Sequence, residues 1–139
     1  MKGGNSMFFQ HRSYIITKQR QVKCHVLHYN SFFYDTKSLK HFMDLEGDRL
    51  QSCGFSFRLL TTFHNTYVSE DIMNYFIKHI NSYKNKIVRI AIIGVPISHM
   101  AKFERKIYEA HCEHIKIRFF SNTSSAKVWL KEDKHVRTF

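Results

Sequence analysis

The sequence predicts an α/β fold, in which a single domain holds a five-stranded mixed β-sheet covered by about four helices, in the order ββαβαβαβα. The segment KIVRIAIIG, residues 86–94, is a nearly continuous apolar run, which is typical of a strand buried on both faces. Helical patterns precede and follow this run, and strand-like segments alternate with helical ones. A short polar link between the first two strand-like segments predicts an antiparallel pair, which makes the sheet mixed.

The strands follow from composition and alternation. Residues 13–17 are rich in β-branched and aromatic side chains, and residues 21–28 alternate between two faces. Residues 115–121 also alternate, with basic side chains on the outward face, which predicts a strand at or near an edge of the sheet. The other two strands are predicted at residues 55–63 and 87–93.

The helices follow from apolar spacing and from capping residues. Residues 35–36 suit the start of the first helix, and Gly47 inside it predicts a bend or interruption. Ser69 suits the start of the second helix, and the two acidic residues after it favour the helix dipole. Ser98 and Ser124 are expected to begin the third and fourth helices. The predicted helices span residues 36–53, 69–83, 98–114 and 124–131.

Length and composition indicate one packed domain. The chain has 139 residues, of which 43% are hydrophobic and 15% aromatic, and this composition is too apolar for a disordered chain. We expect a flexible N-terminus at residues 1–10, the domain at residues 11–131 and a charged tail at residues 132–139. The sequence has no run near the ~20 apolar residues of a membrane span and no apolar core of a signal peptide.

The net charge bears on the possible partners of the protein, and the cysteines bear on its redox compartment. A formal net charge of +11 leaves nucleic acid or an anionic membrane open as a partner. However, no run of five basic residues occurs, so a solvated basic surface is favoured. Cys24, Cys53 and Cys112 are widely spaced, which predicts reduced thiols in a cytoplasmic protein.

The sequence gives no catalytic or metal signature, so we expect no enzyme activity, no cofactor and no metal. His111 and His114 share one side of a helix but Cys112 points elsewhere, so this cluster does not supply the three or four ligands that zinc needs. Cys24 and Cys53 are interpreted as apolar core residues. Carboxylates 44, 46 and 48 are interpreted as a solvated helix face.

Candidate binding residues come from the predicted topology. Open α/β sheets bind ligands at the carboxyl ends of their strands, where helix N-termini also favour anions. The loops at these ends, together with the residues that cap the following helices, are therefore the predicted ligand or partner site. Its residues are His64, Asn65, Thr66, Tyr67, Ser69, Gly94, Ser98, Asn122 and Thr123.

Three segments resemble the anti-sigma-factor-antagonist (STAS) family, in particular its SpoIIAA-like branch, which is related to lipid-transfer CRAL-TRIO domains. They are IAIIG at residues 90–94, the Phe103-Glu104 pair in the next helix, and IKIRFFSNTSSAKVWL at residues 115–130. The resemblance covers about residues 13–131 and implies the fold order given above. It also implies a phosphorylated serine after the third strand, for which Ser69 is the matching position. The family's Asp-Ser-x-Gly pattern is missing, and two carboxylates follow Ser69, so an N-cap role is favoured over a phosphoacceptor role.

Together these features predict a non-enzymatic, STAS-like regulatory or protein-interaction module. A small-ligand or lipid carrier is the alternative, and a small apolar or anionic ligand would be its cargo. A carrier needs a cavity between sheet and helices, and its lining could come from Phe32, Phe33, Phe42, Phe76 and Phe103. Association with nucleic acid or an anionic membrane through charge is a weaker alternative. The sequence also leaves a homodimer open.

Overall fold

The computed structural model describes residues 12–16, 21–110 and 115–132, with side chains described for residues 23–110 and 115–132. Four parallel strands and four helices alternate in the order βαβαβαβα, so the predicted α/β class is confirmed. A further short strand, β1, pairs antiparallel to β2 at one edge, with Ser13 opposite Cys24. The strands follow one another across the sheet in chain order. They are β1 (Arg12–Ile16), β2 (Gln21–His28), β3 (Phe57–Thr62), β4 (Ile87–Ile93) and β5 (Lys116–Phe120).

The helices cover both faces of the sheet. They are α1 (Thr36–Gln51), α2 (Glu70–Ser82), α3 (Ile97–Glu109) and α4 (Thr123–Lys131). Right-handed crossovers between strands that advance in one direction place their helices on the same face. Accordingly, buried side chains of α1, α2 and α3 belong to one core cluster. Those of α4 belong to a second cluster with side chains of β2, β3 and β4, on the other face.

The isoleucine-rich strand β4 lies in the interior, as predicted. It pairs with β3 on one side and with β5 on the other. Ile90 and Ile92 belong to the larger core cluster, whereas Ala91 and Ile93 belong to the cluster beneath α4. Because both faces are covered by helices, the strand has no need of polar alternation.

Two arginines interrupt the apolar surface beneath α4. Arg89 is 1% exposed, and its Nη1 donates a hydrogen bond of 2.6 Å to the carbonyl oxygen of Trp129. Arg58 lies beside Arg89 in the register of β3 and β4, and its Nη1 donates to the carbonyl oxygens of Leu130 and Glu132. The last carbonyl groups of a helix have no partner within the helix, and the helix dipole favours a cation there. These two arginines therefore cap the C-terminus of α4.

Three local predictions are corrected. Gly47 does not interrupt α1, which runs from Thr36 to Gln51. A Cβ on Gly47 would lie 2.4 Å from Nδ1 of His79, so the glycine allows α1 and α2 to approach closely. Ser98 lies in the first turn of α3, which starts at Ile97 after Pro96. Helix α4 starts at Thr123, one residue before the predicted Ser124, with Asn122 as its N-cap.

Other predictions lie wholly or largely outside the described residues. These are the flexible N-terminus at residues 1–10, the tail after residue 132 and the end of the third helix at residues 111–114. The predicted N-cap role of Ser69 is confirmed, because its Oγ accepts a hydrogen bond of 3.2 Å from the backbone N–H of Ile72.

Candidate interaction site

The loops that follow the parallel strands meet at one edge of the sheet, which we call the carboxyl edge. The loop at residues 29–34 follows β2, and the loop at residues 63–67 follows β3. Their backbones pair: the N–H of Phe33 donates to the carbonyl of Asn65 at 2.9 Å, and the N–H of Tyr67 donates to the carbonyl of Phe33 at 2.7 Å. The two loops therefore form one hydrogen-bonded unit.

Side chains hold this unit together from within. The hydroxyl of Thr66 donates to the carbonyl of Tyr29 at 2.5 Å and accepts from the N–H of Phe32 at 3.1 Å. Oδ1 of Asn30 accepts from the hydroxyl of Thr62 and from the N–H of His64, each at 2.9 Å. Since most polar groups of the two loops are satisfied by these bonds, the backbone conformation is well determined.

The backbone of these loops takes left-handed conformations at residues other than glycine. The φ angles are +63° at Ser31, +51° at Phe33 and +55° at Asn65. Gly94, after β4, has φ +92°, and a Cβ there would lie 2.9 Å from the backbone nitrogen of His64. Left-handed non-glycine residues are costly and persist only where surrounding contacts determine them. The loops at this edge are therefore held in a strained conformation.

The paired loops present aromatic side chains to solvent. Phe33 is 59% exposed, Tyr34 79% and Tyr67 45%. The rings of Tyr34 and Tyr67 lie 5.1 Å apart between centroids, and the ring of His99 meets Tyr67 edge-on at 6.3 Å. We call these four residues the aromatic edge. Exposed apolar residues that cluster in this way mark interaction surfaces, whereas scattered ones do not.

The charged side chains described on the adjacent helices are largely balanced. Glu70, at the start of α2, accepts from Lys106 at 2.8 Å and from Lys102 at 3.3 Å. These lysines, Lys106 first, hold the pKa of Glu70 below its usual value. Asp71 lies 2.7 Å from Lys40. Among the described residues, Lys40, Lys102 and Lys106 near the aromatic edge are thus each paired with a carboxylate.

The structure brings together only part of the predicted site. His64, Asn65, Thr66 and Tyr67 lie in one loop, and Gly94 packs against its backbone. Ser98 is exposed on the first turn of α3, beside His99, and its Oγ lies 3.0 Å from that ring's Nδ1. Asn122 accepts from the N–H of Ser125 at 2.8 Å. Asn122 and Thr123 start α4, which packs on the opposite face from α2 and α3.

Sequence reasoning missed three members of the aromatic edge, namely Phe33, Tyr34 and His99. Phe33 and Tyr34 belong to residues 30–34, which the sequence predicts to be a loop or bridging segment, and Phe33 is predicted only as part of a cavity lining. The three consecutive aromatic residues 32–34 were a usable signal, because such a run between a strand and a helix N-cap cannot be buried entirely. No local pattern points to His99, because it lies in α3 and its ring neighbour Tyr67 lies in the loop after β3.

The other polar clusters have structural explanations or lie outside the described residues. Glu46 was predicted to be solvated, but it is buried and accepts from Arg49 at 2.6 Å. Cys24 is buried, and burial raises the pKa of its thiol to about 11. Within the described residues no three His, Cys, Asp or Glu side chains are grouped to hold a metal ion. The cluster at His111, Cys112 and His114 falls in a segment that is not described.

The aromatic residues expected to line a ligand cavity fill the core instead, apart from Phe33. The ring of Phe76 lies 5.7 Å from those of Phe63 and Phe103, and Phe32 and Phe42 lie 5.9 Å apart. None of the described helices has the length and apolar character required to cross a membrane.

Comparison with known proteins assigns the chain to no family. No family model, curated protein or solved structure matches the chain.

Proposed function

We propose that the chain is a non-enzymatic protein-interaction module of STAS-like fold, in which five strands form one mixed sheet, and that it binds a partner protein through the aromatic edge. The observation that carries this proposal is the exposure of Phe33, Tyr34 and Tyr67 on two loops joined by backbone hydrogen bonds. Tyrosine and phenylalanine are enriched at the centres of protein interfaces, where they bury a large area at a small cost in side-chain entropy.

The rigidity of the loops supports this function. A binding loop that is already held in one conformation loses little entropy when it meets its partner, so more of the contact energy remains as affinity. Thr66, Asn30 and Gly94 hold the two loops, and the rings of Tyr34 and Tyr67 are exposed for contact with a partner. This arrangement separates residues that position the site from residues that bind.

The charges near the site favour a protein over a nucleic acid. Single strands of nucleic acid are bound by aromatic rings set in a positively charged groove. Here Lys40, Lys102 and Lys106 are each paired with a carboxylate. A central aromatic cluster with a mixed polar rim is the usual composition of a protein interface. Cytoplasmic location remains part of the proposal and is supported by the free thiols of Cys24 and Cys53.

Site-specific photo-crosslinking tests the proposal. The photoreactive residue p-benzoylphenylalanine replaces Tyr34 in one variant and Tyr108 in a control variant, in cells that make the protein. Tyr108 is also exposed but lies near the other end of α3, roughly 16 Å along the helix from its start. We expect the Tyr34 variant to give an adduct with one protein, and Tyr67→Ser to abolish that adduct.

Affinity measurements on the captured partner complete the test. Tyr34→Ser and Tyr67→Ser should each weaken binding about tenfold or more, as expected for an aromatic hot spot, whereas Tyr108→Ser should change it less than about twofold. The combined variant of Thr66, Tyr67 and Ser69 to alanine should also lose the partner. Equal adducts at positions 34 and 108, or an adduct with nucleic acid alone, would show that the aromatic edge is not a protein-binding site.

A further inference from the structure

A second surface lies at the outer edge of β5, away from the aromatic edge. β5 is the last strand of the sheet within the described part of the chain and pairs with β4 on one side. An edge strand presents N–H and C=O groups that another extended segment can pair with. We propose that an extended acidic peptide binds at this edge and adds to the sheet as a strand beside β5.

The positive charge on this edge favours an acidic partner. Lys116 and Arg118 are both exposed and project on the α4 face, because they stand opposite Arg89 and Ala91 in the register with β4. No ion pair within residues 23–110 and 115–132 involves Arg118, in contrast to the paired lysines of α1 and α3. Carboxylates directly opposite on an added strand would stabilise the pairing.

A groove beside the strand gives the peptide a place for a side chain. It lies between β5 and α4 and has a volume of about 340 Å³. Its lining residues are Arg118, Phe120, Ser124, Ser125, Val128, Trp129 and Glu132, and the carboxylate of Glu132 lies 3.8 Å from Arg89. The guanidinium of Arg118 lies 5.0 Å from the ring of Phe120 and 5.7 Å from that of Trp129, and Val128 is 64% exposed. The two rings thus support the exposed Arg118 on the wall of the groove, where its guanidinium can meet a carboxylate.

The side chains on the opposite face of β5 determine which other residues the peptide should carry. Ile117 and Phe119 are half-buried and project toward the larger core cluster. Side chains of an added strand alternate between the two faces of the sheet. A peptide that fits therefore alternates acidic residues, facing Lys116 and Arg118, with apolar residues facing Ile117 and Phe119.

The same charges oppose a second copy of the chain at this edge. In an antiparallel pair of two β5 strands, the basic residues of one copy would face those of the other, and like charges directly opposite each other are destabilising. Basic residues also protect edge strands from such self-association. A homodimer through β5 is thus disfavoured and becomes an outcome of the test.

Fluorescence anisotropy with labelled peptides tests the proposal on the full chain. The probe is GVEVEVEG, and the matched control is GVKVKVKG. We expect the glutamate peptide to bind and the lysine peptide to bind at least about tenfold more weakly. Arg118→Glu and the milder Arg118→Gln should weaken binding of the glutamate peptide, the former by roughly tenfold. Lys127→Glu, an equal charge change on an exposed residue of α4 that does not line the groove, should have less than about a twofold effect.

Two further measurements locate the site. Amide chemical shifts of the ¹⁵N-labelled protein should move in β5 and α4, and the variant Tyr67→Ser should bind the peptide normally. Two further peptides are N-methylated, one at the glutamate positions and the other at the valine positions. In one of them the methyl groups face β5 and block its hydrogen bonds, so that peptide should lose binding. Equal binding of the acidic and basic peptides, no binding at ~1 mM, or shifts at residues 29–34 and 63–67 would overturn the proposal. A concentration-dependent dimer with shifts in β5 would also overturn it, in favour of a second copy.

Discussion

The hydroxyl of Thr66 lies 2.5 Å from the carbonyl oxygen of Tyr29 and donates a hydrogen bond to it. The same oxygen of Thr66 accepts from the backbone N–H of Phe32. The side chain of Thr66, in the loop after β3, thus binds the loop after β2 at two points, Tyr29 and Phe32. Because these two loops carry Tyr34 and Tyr67, this single hydroxyl also positions the aromatic edge.

Replacing Thr66 by valine should therefore destabilise the protein. Thr66→Val keeps the shape of the side chain but leaves the carbonyl of Tyr29 and the N–H of Phe32 without this partner, at a cost of about 1–3 kcal/mol. Denaturant unfolding measures the change. Thr61→Val is the control, because Thr61 is buried and its hydroxyl has no hydrogen-bond partner among the described residues. That variant should be neutral or stabilising, and equal losses for the two variants would contradict this account.

The glycine after β4 gives a second prediction. At Gly94 the backbone has φ +92°, and an added Cβ would lie 2.9 Å from the carbonyl carbon of Phe63. Gly94→Ala should cost at least about 1 kcal/mol in unfolding free energy, since both the backbone conformation and the contact oppose the methyl group. It should also weaken partner binding, because the 63–67 loop must shift.

Gly54→Ala is the matched control for this change. A Cβ on Gly54 would meet nothing within 4 Å, and its φ lies outside the left-handed region. The alanine restricts the unfolded chain, so the protein should be unchanged or more stable by about 0.4–1 kcal/mol. If Gly94→Ala proved as harmless as Gly54→Ala, the loop after β4 would not support the aromatic edge.

The buried arginines give a third prediction. Arg89→Met keeps a long apolar side chain but removes the charged donor to the carbonyl of Trp129, which also accepts from the N–H of Glu132 at 3.2 Å. We expect a loss of about 2 kcal/mol or more, since a buried carbonyl loses a charged donor. Amide exchange should accelerate in α4 more than in α2, because α4 loses one of the two arginines that cap it. Arg105→Met changes an exposed arginine of α3 and should have little effect; unaltered protection of α4 in Arg89→Met would rule out the capping role.

The fold could be predicted from the sequence because burial leaves a regular pattern. Strand β4 is covered on both faces, so its apolar run has no polar alternation, whereas β5 lies at an edge and alternates visibly. Ser69 was recognisable as an N-cap because a hydroxyl before two acidic residues suits a helix start. The prediction that Ser98 begins α3 was wrong because the chain enters the helix directly after Pro96, whose carbonyl accepts from the N–H of His99.

The details of the site could not be predicted, because they depend on contacts between distant segments. Tyr34 and Tyr67 meet only when β2 and β3 lie side by side, and no glycine signals the left-handed backbone at Ser31, Phe33 and Asn65. Arg89 sits within an apolar run and is buried because it meets carbonyl groups of a helix that comes much later in the chain. Local patterns contain none of this information.

A fourth prediction concerns the acid stability of the contact between α1 and α2. Oδ1 of Asp44 accepts from the hydroxyl of Tyr75 at 2.7 Å and from Nε2 of His79 at 2.8 Å. These bonds, that of Tyr75 first, hold the pKa of the Asp44 carboxyl below its ordinary value of 3.8, with a contribution from the charge of Lys78. Because the folded-state pKa is the lower one, the stabilisation is present above the unfolded-state pKa and is lost as the pH falls through the folded-state pKa.

The variant Asp44→Asn should accordingly be less stable than the natural protein near neutral pH, and this difference should shrink as the pH falls below about 4. Urea unfolding at a series of pH values from neutral to about 3 measures it, with salt held constant because the carboxylate is largely exposed. Asp48→Asn removes the same charge from an exposed position of the same helix and serves as the control. A difference between Asp44→Asn and the natural protein that stays constant with pH would mean that the hydrogen bonds from Tyr75 and His79 do not favour the ionised carboxylate.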